Sequence, residues 1–180
     1  MILSDPIERV LLNEDAISVR VRELSAQISA DYADAEDFVL IGVLKGAFIF
    51  LADLVRGLTV PHHVDFIALS SYNKGASAGA VRLIMDTRIS VTGRHVLIVE
   101  DIVDTGHTLE YLLRAFRARQ PASLRTCVLL SKPERREVEV PVDYVGFEIS
   151  DVWVVGFGLD YADHFRTLPY IGALKPEVYE

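Results

Sequence analysis

Short apolar segments alternate with amphipathic segments along this chain, and that alternation most constrains the fold. Residues 38–44 and 96–99 have the length and the β-branched content of buried strands. Helices are predicted over 13–30, where apolar residues recur every three or four positions, and over 109–116, which follow the i, i+3, i+4, i+7 rule. Strands that alternate with helices predict an α/β fold with an open, mostly parallel twisted sheet and helices on both faces.

Other segments extend this pattern over a chain of 180 residues, a length that predicts a single domain. A helix is expected over 47–58, and further strands over 63–72, 81–86, 123–130, 142–149 and 152–157. The tail from residue 161 has no clear periodicity and is expected to be irregular. Small and polar residues at 73–79 predict a mobile loop between two strands.

Composition excludes several classes of protein. Hydrophobic residues make up 51% of the chain and charged residues 24%, which is typical of a globular protein. The net charge of −8 disfavours binding to nucleic acid or to anionic membranes. No stretch without charged residues is longer than 8, far short of a membrane span, and no secretory signal is recognisable, so a cytoplasmic protein is expected.

The segment 100–108 carries the clearest chemical signal. It contains three carboxylates, two threonines and one glycine: Glu100, Asp101, Asp104, Thr105, Thr108 and Gly106. In parallel sheets, ligands bind where a strand ends and the next helix begins. Hydroxyl groups and free N–H groups there suit a phosphate, whereas clustered carboxylates suit a divalent cation or sugar hydroxyls. The pattern indicates a bound sugar phosphate; the alternative is that the acids only cap a helix and solvate a turn.

Residues 96–109, with the sequence VLIVEDIVDTGHTL, resemble the ribose-phosphate-binding motif of the type I phosphoribosyltransferases. The rest of the chain resembles the hypoxanthine-guanine branch of that family. The matching segments are LKG at 44–46, SY at 71–72, KP at 132–133, VGFE at 145–148, DVWVVG at 151–156, LDY through FR at 159–166, and LPYIG at 168–172. The resemblance covers nearly the whole chain. It implies the fold of that family, with a small hood formed by the chain termini and late strands, and a mobile lid loop at about 71–81.

The activity implied by the resemblance is Mg²⁺-dependent transfer of ribose 5-phosphate from phosphoribosyl pyrophosphate (PRPP) to N9 of hypoxanthine or guanine. The products would be IMP or GMP and pyrophosphate, as in purine salvage. The resemblance further implies small-molecule substrates, no nucleic-acid or membrane partner, and a homodimer or homotetramer. It leaves open which of hypoxanthine, guanine and xanthine is preferred.

The resemblance also implies a role for individual residues. Those that bind the ribose and its 5-phosphate are Glu100, Asp101, Asp104, Thr105, Gly106, His107 and Thr108. Pyrophosphate is held by Lys45, Gly46 and Arg166, and the purine by Lys132, Trp153 and Val154. Mg²⁺ is held by Glu100, Asp101 and Asp160, and the lid contains Ser71 and Tyr72. The peptide between Lys45 and Gly46 is one that can be cis in the family.

Three of these residues have a specific chemical rationale. Asp104 is the candidate general base for the N7 proton of the purine; alternatively, it only accepts hydrogen bonds within its loop. Lys132 donates and never accepts, which favours a carbonyl oxygen at purine C6 over an amine. Trp153 offers an indole face to the purine, although core packing is the alternative. The side chain of His107 receives no role.

Two other functions remain open at this stage. The first is a PRPP-sensing regulator that binds RNA or DNA through a basic surface patch. That patch would consist of Arg114, Arg117 and Arg119 with Lys132, Arg135 and Arg136. The net charge of the chain weighs against this function. A transferase for adenine or a pyrimidine is hard to reconcile with Lys132 and Trp153.

Overall fold

The computed structural model describes residues 6–71 and 81–179 of the chain. The strands are β1 (Ile7–Leu12), β2 (Phe38–Leu44), β3 (His63–Ser71), β4 (Val81–Met85), β5 (His95–Val103), β6 (Ser123–Ser131), β7 (Tyr144–Glu148), β8 (Val154–Val155) and β9 (Ile171–Leu174). The helices are α1 (Glu14–Asp31), α2 (Phe48–Gly57), α3 (His107–Arg117) and α4 (Pro176–Tyr179). None of these helices is long and apolar enough to cross a membrane.

Six strands form the central sheet in the order β4-β3-β2-β5-β6-β7. All neighbours pair in parallel except β4, which runs antiparallel to β3 at one edge. The prediction of an open, mostly parallel sheet is therefore confirmed. A second, antiparallel sheet has the order β1-β9-β8 and is built from both ends of the chain and a late strand, as predicted for the hood.

Helices cover both faces of the central sheet. Successive residues of a strand point to opposite sides, so an apolar strand contributes to a core on each face. On one face Leu40 of β2 belongs to the core that includes the apolar stripe of α1 and the buried residues of α2. On the other face Val39 and Ile41 belong to the core that includes Leu109 and Phe116 of α3. The two separate cores confirm the predicted arrangement of helices.

Most helix and strand bounds agree with the sequence patterns to within a few residues, but β1 was not predicted, β5 ends later than expected, and the segments after residue 150 differ. Asn13 caps α1 by accepting a hydrogen bond from the N–H of Ala16 at 2.8 Å. The prediction of an irregular tail from residue 161 is wrong for β9 and α4. Strand β9 exists because it pairs with β1 and β8, and such long-range pairing leaves no local periodic signal.

Candidate active site

The candidate site lies at the carboxyl end of β5, where the central sheet opens. Pairing between β2 and β5 ends at Gly42 and Val99, and β5 then continues beside β6 alone as far as Val103. The strand was expected to end at Glu100 and Asp101, but it ends beyond them. Both acids nevertheless line one cavity of about 200 Å³, because β2 no longer covers this part of β5.

The carboxylates of Glu100 and Asp101 lie in a poorly neutralised environment. Glu100 is 6% exposed, and its Oε2 atom has no hydrogen-bond partner among the described residues. Burial and the neighbouring charge of Asp101 raise the pKa of Glu100 well above its usual range. Burial also raises the pKa of Asp101 to about 6, although its backbone hydrogen bonds and the charge of Arg166 act in the opposite direction. Such a pair suits a cation or hydroxyl donors.

The N-terminus of α3 meets the same cavity without a capping side chain. Gly106 precedes the helix at a φ of 96°, and no side chain accepts a hydrogen bond from the first turn. In the described part of the chain, the N–H groups of residues 105–108 donate to no protein acceptor. Thr105, Gly106 and Thr108 line the cavity. Free N–H groups, hydroxyls and the positive end of a helix dipole together suit an anion such as phosphate.

A neighbouring cavity of about 310 Å³ brings together residues from distant segments of the chain. Among its lining residues are Asp101, Asp104, Lys132, Trp153, Val154 and Asp160. Trp153 is 45% exposed, so the alternative that it packs in the core is wrong. Lys132 is buried, with its Nζ atom 3.6 Å from Oδ1 of Asp151.

Arg135 is a member of this cavity that sequence reasoning missed. Its Nε atom lies 3.1 Å from Oδ1 of Asp104, and its Nη1 atom lies 3.3 Å from Oδ1 of Asp151. The sequence pattern placed Arg135 on a solvated basic face instead. The signal that could have identified it is its spacing of three residues from Lys132. A 3₁₀ turn spans Pro133–Arg135, and residues three apart in such a turn lie on the same side of it, so Arg135 lies on the side of Lys132.

A cluster of charges surrounds Arg166 beside this cavity. The Nη2 atom of Arg166 lies 2.8 Å from Oδ1 of both Asp160 and Asp163. Lys45 also contacts Asp163, at 2.8 Å. Lys45 and Arg166 together lower the pKa of Asp163 to about 2. The sequence analysis did not select Asp163, although it bridges the two cations predicted to hold pyrophosphate.

The turn at Lys45 and Gly46 packs closely against this region. A Cβ atom at Gly46 would overlap the carboxylate of Asp101, so any larger residue there would displace that side chain. The cis peptide joins Leu44 and Lys45 rather than Lys45 and Gly46, which corrects the expected position by one bond. The residue types themselves carry no signal for which bond is cis.

Two groups of predicted residues lie apart from the cavities. The Nε2 atom of His107 points to Glu137 at 3.0 Å, and His107 is not among the lining residues. Ser71 ends β3, but Tyr72 and most of the predicted lid at 71–81 lie outside the described residues. Within the described ranges, no group of three or more His, Cys, Asp or Glu side chains forms a ready metal site.

Comparisons with known proteins agree with this geometry. Residues 10–162 match the sequence model of the family described as the phosphoribosyl transferase domain. The chain is 47% identical to a hypoxanthine-guanine phosphoribosyltransferase of Dictyostelium discoideum, over 95% of this chain and 97% of that protein. It is 48% identical to the corresponding protein of Bacillus subtilis, over 97% of each chain.

A solved structure extends the agreement to three dimensions. Hypoxanthine phosphoribosyltransferase from Trypanosoma cruzi, in complex with the product IMP, is 46% identical to this chain, with a TM-score of 0.91 and coverage of 98% of both chains. The sequence match, the shared fold and the acid-rich turn before α3 lead to one conclusion. The chain belongs to the phosphoribosyltransferase family, in its hypoxanthine-guanine branch.

Proposed function

We propose that this enzyme transfers ribose 5-phosphate from PRPP to N9 of hypoxanthine or guanine and releases pyrophosphate. The observation that carries the proposal is that an uncapped helix N-terminus, the buried Glu100 with the half-buried Asp101, and a cavity with a lysine and an exposed tryptophan meet at one edge of the sheet. Each part suits one part of the substrates. The names of relatives at 47% and 48% identity support the same reaction.

The cavity before α3 is proposed to bind the ribose phosphate. The 5-phosphate would accept hydrogen bonds from the N–H groups and hydroxyls of residues 104–108, including the backbone of His107. Glu100 and Asp101 would accept hydrogen bonds from the ribose hydroxyls. The oxocarbenium-like transition state of such a transfer carries positive charge, which nearby carboxylates stabilise.

The neighbouring cavity is proposed to bind the purine. Lys132 would donate a hydrogen bond to the oxygen at C6, with Asp151 holding its ammonium group in place. Trp153 would stack on the ring, and the buried backbone of Val154 would contact the base edge. Xanthine shares the C6 oxygen, so these residues do not separate the three 6-oxopurines.

Asp104 lines both cavities and is the proposed general base. It would accept the N7 proton as N9 bonds to the sugar. Its Oδ1 atom lies near Arg135, whose positive charge balances that of the carboxylate. The same atom accepts no hydrogen bond, so it is free to accept a proton.

Lys45, Gly46 and Arg166 are proposed to bind pyrophosphate. Both cations lie 2.8 Å from Oδ1 of Asp163, which marks a position where negative charge is held. An arginine fork adds directional hydrogen bonds to phosphate oxygens.

The residues present fit Mg²⁺, the cofactor that the family resemblance implies. Glu100 and Asp101 on one side and Asp160 on the other supply carboxylate oxygens, and the buried Oε2 atom of Glu100 has no partner. Mg²⁺ uses one or two protein carboxylates together with phosphate oxygens and waters, so a ready three-residue cluster is not required. When bound, the ion supplies positive charge that neutralises pyrophosphate.

The decisive test is a direct assay of the purified protein. It is incubated with PRPP, Mg²⁺ and hypoxanthine, guanine, xanthine or adenine in turn, and nucleotide and pyrophosphate are measured. We expect one equivalent of pyrophosphate per nucleotide with hypoxanthine or guanine. No turnover with either base would refute the proposal.

Replacing Asp104 by Asn tests its role separately. Base catalysis acts in the transition state, so Asp104→Asn is expected to lower kcat by about 10²-fold or more while KM for PRPP changes little. Asp53→Asn alters a partly exposed carboxylate on α2 that pairs with Arg56; it serves as the control and should leave both constants unchanged. An unaltered kcat in Asp104→Asn would remove Asp104 from the role.

We further propose that the protein is a cytoplasmic homodimer or homotetramer with a single catalytic domain and a lid at about 71–81. Light scattering after size-exclusion chromatography measures the oligomeric state. No binding to nucleic acid or membranes is expected, and ion pairs of Arg119 with Asp86 and of Arg135 with Asp104 support this expectation.

A further inference from the structure

Trp153 lies on a segment without regular structure, just before β8, and two tyrosines contact its indole ring. The ring of Tyr179 stacks on it, with centroids 5.3 Å apart and planes inclined by 22°. The ring of Tyr161 meets it edge-on, at 5.6 Å and 87°. Tyr179 therefore covers one face of the indole, and Tyr161 makes a second, perpendicular contact with it.

The ring that stacks on the indole is not part of the purine cavity. Trp153 lines that cavity, whereas Tyr179 and Tyr161 are absent from its described lining. Tyr161 instead borders a separate apolar hollow, together with Val178 of α4. The indole thus borders the purine cavity, whereas the two tyrosines that contact it do not line that cavity.

The backbone fixes Tyr179 relative to Trp153. The N–H group of Leu174, the last residue of β9, donates to the carbonyl oxygen of Trp153 at 2.9 Å. The next residue, Lys175, donates its N–H group to the carbonyl oxygen of Pro6 at 3.0 Å. Helix α4 follows directly, so its tyrosine is tied to the segment that carries the indole.

We propose that Tyr179 is a positioning residue for the purine: it stacks on the rear face of Trp153 and holds the indole in the orientation in which its front face receives the base. Trp153 needs such support, because it is 45% exposed and precedes β8 in irregular backbone. A side chain already held in its bound orientation loses less conformational entropy when the ligand binds. The inference rests on the proposed stacking of the purine on Trp153.

Enzyme kinetics test this inference with Tyr179→Ala, Tyr179→Phe and, as the control, Val178→Ala. Val178 is the neighbour of Tyr179 on α4 and makes no ring contact with Trp153. We expect Tyr179→Ala to raise KM for hypoxanthine by about 2- to 10-fold, the range that an aromatic pair supports. KM for PRPP should stay within about twofold, because the tyrosine does not line the cavity before α3. Tyr179→Phe keeps the stacked ring and should behave like the unaltered enzyme.

Fluorescence supplies a second readout, because Trp153 is the only tryptophan in the chain. Acrylamide should quench the ligand-free Tyr179→Ala protein more strongly than Tyr179→Phe or Val178→Ala, and the same emission reports the Kd for IMP. We expect that Kd to rise in Tyr179→Ala together with KM for hypoxanthine.

Three results would overturn the inference. Unchanged quenching in Tyr179→Ala would mean that the ring contact is absent in solution. Stronger quenching with unchanged KM for hypoxanthine would mean that the contact does not position the purine. Equal rises in both KM values would indicate a general structural role. Trp153→Ala separates the proposed function from the inference: if it leaves KM for hypoxanthine unchanged, the stacking role of Trp153 itself is wrong.

Discussion

Glu100 places a carboxylate where the protein does little to neutralise it. The residue is buried, one of its oxygens has no hydrogen-bond partner among the described residues, and Asp101 adds a second negative charge beside it. An acid in such surroundings reduces the free energy of unfolding whenever it is ionised. A cation or sugar hydroxyls bound as proposed would satisfy the free oxygen.

Glu100→Gln should therefore stabilise the ligand-free protein while impairing catalysis. The pKa of Glu100 is raised above its usual 4.5, so ionisation destabilises the fold at pH values above 4.5, and that penalty is absent below this value. We expect the free energy of unfolding to rise by about 1 kcal/mol at pH 8, which corresponds to roughly 2–4 °C in Tm. At pH 4 the two proteins should melt alike.

Thermal denaturation at the two pH values measures this effect, and kcat/KM measures the functional loss. Glu134→Gln changes an exposed acid beside the same site and should alter neither quantity. An equal change in Tm at pH 4 and pH 8 would contradict the explanation by charge.

Lys132 is the residue expected to select the base. Its side chain is 7% exposed, so an amine at purine C6 would face a buried donor that it cannot satisfy. Lys132→Ala should lower the ratio of kcat/KM for hypoxanthine to kcat/KM for adenine by about tenfold or more. Lys45→Ala, which alters a proposed pyrophosphate contact, should reduce both values and leave their ratio unchanged. A preserved ratio in Lys132→Ala would show that other groups select the base.

Sequence reasoning selected Lys132 and Trp153 but missed Arg135 and Asp163, and the reason is geometric. The family motifs contain the first two, so their place was implied by resemblance. Asp163 contacts Lys45, which lies 118 positions earlier in the chain, and no local pattern encodes such a contact. In the sequence, Arg135 looks like any basic surface residue. Only the 3₁₀ turn places it beside Asp104.

At the scale of elements, the unit from β5 to α3 follows from local sequence, whereas the hood does not. The buried run at 96–99 and the apolar spacing at 109–116 specify a strand and a helix, and they place the acid-rich turn between them. Strands β1 and β8 pair with β9 through contacts between distant parts of the chain. Hydrophobic periodicity cannot predict such partners, because it reports only which face of an element is buried.

The start of α3 requires glycine at position 106, and this yields a prediction for the whole turn. Gly106 has a φ of 96°, and a Cβ atom there would lie 2.6 Å from the carbonyl oxygen of Val138. Gly106→Ala should therefore lower the free energy of unfolding by more than about 2 kcal/mol, the sum of left-handed strain and a steric clash. It should also raise KM for PRPP by about tenfold or more, because the turn presents the N–H groups proposed to bind phosphate.

Gly93→Ala is the matched control for this experiment. Gly93 also has a positive φ, 73°, but a Cβ atom there would meet nothing within 4 Å. Only the cost of the left-handed backbone, about 1 kcal/mol, is expected, with no change in KM for PRPP. Chemical denaturation and steady-state kinetics measure the two effects. If both variants had the same KM for PRPP, the turn at Gly106 would not be the phosphate site.

At the scale of the whole molecule, the distribution of charge matters more than its sum. The net charge is −8, yet the proposed ligands include the anions PRPP and pyrophosphate. The site gathers carboxylates and cations side by side: Glu100, Asp101, Asp104, Asp160 and Asp163 with Lys45, Lys132, Arg135 and Arg166. A small phosphorylated substrate bound as proposed would contact the cations and the end of α3 directly, whereas a long polyanion would also meet the acidic surface.

The same charge distribution predicts that the protein does not bind RNA, which tests the alternative of a nucleic-acid-binding regulator. Arg119 forms two hydrogen bonds with the carboxylate of Asp86, and Arg135 lies between Asp104 and Asp151. RNA that approached these arginines would have to disrupt their ion pairs while repelled by the acidic surface. In a gel shift with bulk RNA, we expect no complex at about 150 mM salt and none at about 50 mM. A complex whose affinity falls steeply with salt, and which PRPP displaces, would instead make nucleic acid a ligand of this site.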